Sequence, residues 1–571
     1  MAKLSGSKRP CAVLLLCTAA VIASPAQTLK TLTSFNYTDG AFPFGLIQGT
    51  DGNFYGPTDK GGTGAVNGCN ASCGSIFKIT PAGILSTVHS FDDTDGNGPS
   101  GIVQASNGDF YGTTTYGGAH NCISYGSPGG CGTVFKMTGG SLAPLYNFCS
   151  QNNCTDGAIP WAKLVQATDT NLYGTTSAGG TGVCNGAIGP GCGTVFKLTV
   201  GGTLTRLHSF TGSDGAYPYG ALIQATNGNL YGTTSEGGAD GFGTIFRITP
   251  GGTLTTLHSF NGTDGAFPYG GLVQASNGNF YGTTSGLVIP GGGPSCTGSG
   301  IGRGTVFEIN AGGTLTTLHS FDNTDGAYPY DSLVQATDTN FYGTTACGGA
   351  NNDGTIFNIS ATNVFKTLHT FDGTDGVLPV AGLIQATSGT FYGTTVLGGA
   401  DGYGTVFSLS VGLGPFVETD PTSGKVGAPV IILGNNLTGS TKVTFNGTAA
   451  TFTVSSSEIK TTVPTGATTG SIGVTTPGGN LNSNVAFLVT PQIKTFTPAS
   501  GPVGTVVTVT GVSLKQSTAV SFGGVKATSF TVNSDTHVTA TVPTGAKSGK
   551  IGITTNGGTA TSATSFTVTT S

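Results

Sequence analysis

The chain has 571 residues, of which 99 are glycine and only 8% are charged, against about 7% glycine and about 25% charged residues in ordinary globular proteins. Low charge with abundant Gly, Thr and Ser excludes helix bundles and coiled coils, which are built from Ala, Glu, Lys and Leu. The 21 Lys+Arg against 26 Asp+Glu leave a net charge of −5 and none of the basic excess of a nucleic-acid binder.

Residues 1–26 read as a secretory signal peptide. Lys3, Lys8 and Arg9 form a basic start, Cys11 to Ala23 is apolar, and Ser24-Pro25-Ala26 offers a cleavage site before Gln27. The apolar stretch is shorter than the roughly 20 residues of a membrane span, and no later run approaches that length. An uncleaved anchor is the alternative. The expectation is a secreted or cell-surface protein with no membrane span after cleavage.

Export shapes the reading of the 12 cysteines. Setting aside Cys11 and Cys17, eight fall in close pairs: Cys69/Cys73, Cys122/Cys131, Cys149/Cys154 and Cys184/Cys192. In an exported chain such pairs predict disulfides. Cys296 and Cys347 are left over in equivalent loops and can pair with each other. Zinc is the rival reading. It is weakened by the unequal spacings and by His120 being the lone histidine nearby.

Internal repetition dominates residues 27–410. A Tyr-Gly marker recurs at Tyr55, Tyr111, Tyr173, Tyr231, Tyr281, Tyr342 and Tyr392. A second marker, Gly-(Ser/Thr)-(Val/Ile)-Phe, ends at Phe77, Phe135, Phe196, Phe246, Phe307, Phe357 and Phe407. Each unit holds four short runs rich in β-branched and aromatic residues. In chain order they are Leu-Val-Gln-Ala (a), Asn-Phe-Tyr-Gly-Thr-Thr (b), Gly-Thr-Val-Phe-Lys-Ile (c) and Thr-Leu-Thr-Thr-Leu-His-Ser-Phe (d). Asn-Gly between a and b, as at Asn107-Gly108, signals a tight hairpin. Seven units of four antiparallel strands predict an all-β fold, a seven-bladed β-propeller. A β-solenoid is the rival, with a repeat rather long for one turn. The mature chain opens with an unpaired d run at Thr28 to Phe35, and the last unit, Leu383 to Leu409, has no d. The N-terminal strand therefore closes the last blade, which removes the exposed edges.

The recurrent Asp-Gly-Ala-Tyr/Phe-Pro-Tyr-Gly, Asn-Gly-Asn-Phe-Tyr-Gly-Thr-Thr and Gly-Thr-Val-Phe motifs resemble those of the GloVer tandem repeat family of exported bacterial proteins, from Leu29 to Leu409. That resemblance implies export and brings no activity with it.

Residues 411–414 read as a linker. Two segments of one pattern follow, 415–490 and 491–571. The first has Pro421-Thr-Ser-Gly, Val443-Thr-Phe-Asn-Gly and Val463-Pro-Thr-Gly; the second has Pro498-Ala-Ser-Gly, Val520-Ser-Phe-Gly-Gly and Val542-Pro-Thr-Gly. Both resemble IPT/TIG domains, small Ig-like β-sandwiches. The resemblance implies spacing, dimer contact or accessory binding and no catalytic residue.

In such a propeller the b–c and d–a loops share one face. The b–c loops are the long ones, so this face is the candidate binding face. The d–a loops repeat Asp-Gly followed by Pro. Asp92/Asp95, Asp322/Asp325 and Asp372/Asp375 pair two carboxylates three residues apart and are candidate calcium ligands. The alternative is a turn in which the carboxylate caps backbone N–H groups. Aromatics flank the repeated Pro, and Trp161, Tyr217, Tyr219, Phe267, Tyr269, Tyr328 and Tyr330 are candidates for stacking on sugar rings, packing between blades being the alternative. His89, His208, His258, His319 and His369 hold one repeated position on strand d and read as packing devices. The repeated glutamines on strand a either bond neighbouring blades or line the channel. Glu236 and Asp331 depart from the repeat and are the only candidates for a catalytic acid/base pair. No Gly-x-Ser-x-Gly, HExxH or P-loop motif occurs.

These readings favour an exported, non-enzymatic binding or adhesion protein without a cofactor, its propeller face taking a polysaccharide or a cell-surface protein and its Ig-like domains acting as spacers. A glycoside hydrolase or polysaccharide lyase with accessory domains is the second reading, and a structural cell-surface component the third.

Overall fold

The computed structural model describes residues 27–63, 73–120, 130–186, 189–286, 296 and 301–570. The expected signal segment, Cys69 and Cys122 lie outside the described residues. The fold is all-β, with one three-residue 3₁₀ turn, Asn152–Cys154, among the described residues. Residues 28–410 form a succession of antiparallel sheets built on four strands. One runs Val273–Gln274, Phe280–Thr284, Thr305–Ile309, Leu315–Ser320. Run a keeps only two residues of ladder in most sheets. In the second sheet it extends to Asn97–Gln104.

The two sequence markers turn out to be one contact. The Gly of Tyr-Gly pairs across the ladder with the Phe of the next strand, as Gly282 with Phe307 and Gly393 with Phe407. A Cβ on Gly282 would stand 2.7 Å from the Phe307 ring, so any larger residue would displace it. Each sheet is tied to the next in two ways. The Phe after each d strand meets the marker Phe of the following sheet edge-to-face, as Phe91 with Phe135 at 5.4 Å and Phe260 with Phe307 at 5.5 Å. The glutamine of strand a accepts a backbone N–H from the preceding sheet. Gln104 accepts from Thr50 at 2.9 Å, Gln166 from Ser106 at 2.9 Å and Gln335 from Ser276 at 3.0 Å.

The same two contacts join the last sheet to the first. Thr28–Ser34 pairs antiparallel with Thr405–Ser410. Phe35 meets Phe77 at 5.1 Å, and Gln48 accepts the N–H of Thr387 at 3.0 Å.

The repeated histidines have partners. His89, His208, His258, His319 and His369 bond Asp95, Asp214, Asp264, Asp325 and Asp375 through Nε2 at 2.6–2.9 Å. Where Tyr146 takes the histidine position, its hydroxyl donates to Asp156 at 2.8 Å.

Three of the five expected disulfides join described residues: Cys149–Cys154, Cys184–Cys192 and Cys296–Cys347. For these pairs the disulfide reading replaces zinc. The expected Cys69–Cys73 and Cys122–Cys131 bonds differ from these three, because one cysteine of each falls outside the described residues. Cys73 and Cys131 themselves are fully buried and disulfide-bonded, so neither is a free thiol available to a metal. The expected partners Cys69 and Cys122 stand on the sequence reading alone.

Two β-sandwiches follow. In the first, Glu418–Asp420, Pro429–Leu433, Glu458–Thr462 and Phe452–Val454 form one sheet, and Lys442–Phe445 and Ile472–Thr476 are central in the other. Val430, Ile432, Phe445 and Ile472 lie in the core between them. The second repeats this plan with Gln492–Thr497 beside Val506–Val512. The first sandwich sits against the a–b turns of the repeats: Ser457 donates its hydroxyl to the Thr50 carbonyl at 3.2 Å, and Phe416 its N–H to the Thr387 carbonyl at 3.0 Å.

Candidate functional site

A cavity of about 770 Å³ lies where the a strands converge. Its walls are a-strand side chains such as Leu164, Leu222, Leu333 and Leu383, with Gln48, Gln104, Gln166, Gln224 and Gln385. Strand a is short and every copy carries Leu or Ile two places before Gln, so apolar and amide groups alternate down the wall.

One end of the cavity is aromatic. Phe44 meets Trp161 edge-to-face at 6.5 Å, Trp161 meets Tyr219 at 6.0 Å, and Tyr219 meets Tyr269 at 5.3 Å. Tyr269 stacks on Tyr330 at 4.9 Å with 9° between the rings. All five line the cavity. They come from five different sheets, each from the residue after the repeated Pro, three or four residues before strand a. Ser100 and Val380 occupy this position in the other two sheets and also line the cavity. Burial among these rings pushes the Tyr219 and Tyr330 hydroxyls well above the ordinary tyrosine range.

The other aromatic candidates point elsewhere. Tyr217, Phe267 and Tyr328 stand before the Pro, have φ of 56°, 57° and 58°, and are buried. The left-handed backbone turns their rings into the protein: Phe267 packs on Phe242, and Tyr328 lies against Arg303, whose guanidinium donates to its hydroxyl.

The candidate acid/base pair is not brought together on the cavity. Asp331 lines it, but its oxygens are engaged: Oδ1 accepts the Ser332 N–H at 2.6 Å and Oδ2 the Gly382 N–H at 2.8 Å. Glu236 is bridged through its backbone to Ala216 and is not among the cavity-lining residues. Burial raises the Glu236 carboxyl above the usual carboxylate range.

The candidate calcium ligands cap turns. Asp92 Oδ1 accepts from the Thr94 N–H and hydroxyl, and Asp95 Oδ1 from the Asp92 N–H. Asp322/Asp325 and Asp372/Asp375 repeat this arrangement. With the second oxygen of Asp95, Asp325 and Asp375 on a histidine, calcium would have to displace bonds already made. Among the described residues, the one cluster of three His, Cys, Asp or Glu groups close enough to share a metal is Cys131, Cys149 and Cys154, and all three are disulfide-bonded.

The sequence reading missed two residues of the cavity wall. Glu418 and Asp420, from the first strand of the first sandwich, line it together with Pro421 and Asn484. They alternate with buried Thr419, so both carboxyls face the same side. Both are half-buried and line the cavity. Burial, with the neighbouring Asp420 charge second, holds Glu418 at about 7, and burial holds Asp420 at about 6. The available signal was a comparison of the two Ig-like copies, which differ at these two positions.

The Gloeobacter/Verrucomicrobia repeat profile matches residues 19–122, 122–295 and 291–449, which is most of the chain. The chain belongs to the Gloeobacter/Verrucomicrobia repeat family. Two IPT/TIG domains follow the repeats, at 417–488 and 491–568. No curated protein matches the chain. Among solved structures, a virginiamycin B lyase from Staphylococcus aureus is 12% identical over 67% of this chain and 99% of its own, with a TM-score of 0.43. SGBP-B of a xyloglucan utilization locus in Bacteroides uniformis is 24% identical over 26% of this chain and 48% of its own, at 0.15. The surface glycan-binding protein PbSGBP-B of Prevotella bryantii is 16% identical over 27% and 39%, at 0.21. Likeness this low transfers no function to the repeat protein. No helix among its described residues is long and apolar enough to cross a membrane.

Proposed function

We propose that this chain is an exported, non-enzymatic binding protein in which the repeats close into a seven-bladed propeller and the cavity on its axis takes a segment of polysaccharide. The pairing of Thr28–Ser34 with Thr405–Ser410 and the Gln48–Thr387 bond support closure. The three disulfides support an oxidising, extracytoplasmic location.

One observation carries the binding reading: five contiguous aromatic rings, from Phe44 through Trp161 to Tyr330, line a cavity within the size range of small-ligand sites. Flat ring faces suit the C–H faces of sugars, and the amides of the wall suit hydroxyl groups. The non-enzymatic reading is supported by Asp331, whose oxygens already hold backbone N–H groups.

The test is a glycan array and polysaccharide pull-down with purified residues 27–571. The expected result is retention of a polysaccharide, with affinity falling about tenfold or more in Trp161→Ala, as for loss of one stacked ring. No retention of any glycan would refute the reading and favour a protein partner. Product analysis of the retained glycan tests for cleavage, and any shortened product would refute the non-enzymatic reading.

A further inference from the structure

The cavity has two chemically different ends, and the polar end belongs to the first Ig-like domain. Glu418 and Asp420 stand three residues and one residue before Pro421. In the second Ig-like copy the same strand puts Thr495 and Thr497 ahead of Pro498, and both threonines are exposed. The sandwich therefore folds without acids at these positions. The acids occur in the copy where the strand is partly buried against the cavity, which reverses the usual distribution of charged residues.

Neither carboxyl has a hydrogen bond or ion pair within the described residues. An enclosed carboxylate without a partner is costly, and it is relieved by a proton or by a cation. The other ionisable groups on the cavity do not supply that cation. Asp331 is an acid with its oxygens engaged. Tyr55 donates to Asp51. Tyr219, Tyr269 and Tyr330 belong to the aromatic end. Lys163 is the one cationic residue of the wall; it is exposed, two residues from Trp161, and neither carboxyl bonds it.

We propose that the cavity binds a cationic oligosaccharide of the amino-sugar class, the ammonium of one residue held by Glu418 and Asp420 while another ring of the same chain stacks on the Phe44–Tyr330 aromatic belt. The proposal rests on the reading of the cavity as a glycan site and narrows it. Charge-assisted hydrogen bonds to two carboxylates are strong in an enclosed site, and aromatic faces also attract cations. The first Ig-like domain is then half of the binding site, and the second is the spacer. Because burial raises the carboxyls to about 7 for Glu418 and about 6 for Asp420, both hold protons at pH 5 in the free protein, and binding of the cation displaces them and tightens as pH rises.

The experiment is isothermal titration of residues 27–571 with a free-amine glucosamine trimer and with the N-acetylglucosamine trimer, at pH 5 and pH 7. The expected result at pH 7 is roughly tenfold or greater preference for the free-amine trimer. That preference should shrink at pH 5 and disappear in Glu418→Gln/Asp420→Asn, while Trp161→Ala weakens both trimers. Equal affinity of the two trimers for the unaltered protein would overturn the proposal and leave the glycan reading standing; this comparison needs no variant to fold. A preference unchanged in the folded Gln/Asn variant would also overturn it. Failure of both trimers, with no other glycan retained on the array, would overturn the glycan reading itself.

Discussion

The two Ig-like copies share a strand order, a Pro-x-Ser-Gly turn and a core, yet their first strands behave oppositely. In the first copy Glu418 and Asp420 are half-buried and face the cavity; in the second, Thr495 and Thr497 face solvent. A carboxylate is at home in water and a threonine tolerates enclosure, so stability alone would arrange them the other way round. The difference follows from docking. The first copy rests on the Thr50 and Thr387 turns of the repeats, and the second has no such bond among the described residues. A domain can thus acquire a site-forming strand through what it is placed against, with no change of fold.

The largest expected effect comes from erasing that difference. Both carboxyls bind protons more tightly folded than unfolded. Their contribution is fully present below about pH 4 and is lost as pH rises through about 6 for Asp420 and about 7 for Glu418. Above pH 7 the loss is on the order of 2–3 kcal/mol per carboxyl, somewhat less where cavity water screens the charge. Glu418→Gln/Asp420→Asn should therefore be the more stable protein at pH 8 and equal or less stable at pH 4. Thermal unfolding across pH measures this, and an unchanged slope between pH 5 and 8 would show that the carboxyls are hydrated in the free protein.

Next in size is the disulfide Cys296–Cys347, which closes a loop of 51 residues between adjacent repeats. Cys296→Ser/Cys347→Ser should destabilise the repeat region by roughly 4 kcal/mol. The Ig-like copies contain no cysteine, so their unfolding transitions should not move in calorimetry.

Smaller still is a single link between sheets. Gln104→Ala leaves the Thr50 N–H without its acceptor and should cost about 1–2 kcal/mol in denaturant unfolding. Gln48→Ala, across the junction of last and first sheets, should cost the same if the ring is closed, and clearly less if that junction opens.

The smallest effect is the reciprocal transplant. Thr495→Glu/Thr497→Asp places the acids in the exposed copy, where stability should change by less than about 0.5 kcal/mol with no new pH dependence. A large change would mean that the second copy also packs against something.

Much of the repeat region was legible because each sheet reports its chemistry several times over. The Gly of Tyr-Gly and the Phe of Gly-Thr-Val-Phe recur together because each is the other's packing partner, as at Gly282 and Phe307. The glutamines were read as bonding neighbours or lining the channel, and they do both. The His–Asp bond was not foreseen, although the two types stand six residues apart in five units and Tyr146 replaces the histidine in another. The aromatic set divided for a local reason: residues before the Pro take a positive φ and turn inward, and residues after it line the cavity.

Composition, repeat period and paired cysteines determined an all-β chain of tandem four-stranded sheets followed by two Ig-like copies. These are local properties, written in strand-length patterns and turn residues that neighbours in sequence enforce. The tertiary structure alone decided that five aromatics from five sheets meet in one belt, and that a strand just past the linker ends at the opposite end of their cavity. Phe44 and Tyr330 are far apart in sequence, and Glu418 carries no local mark of enclosure. Their meeting depends on how sheets pack side by side and on where the first Ig-like domain docks, which no short-range pattern encodes.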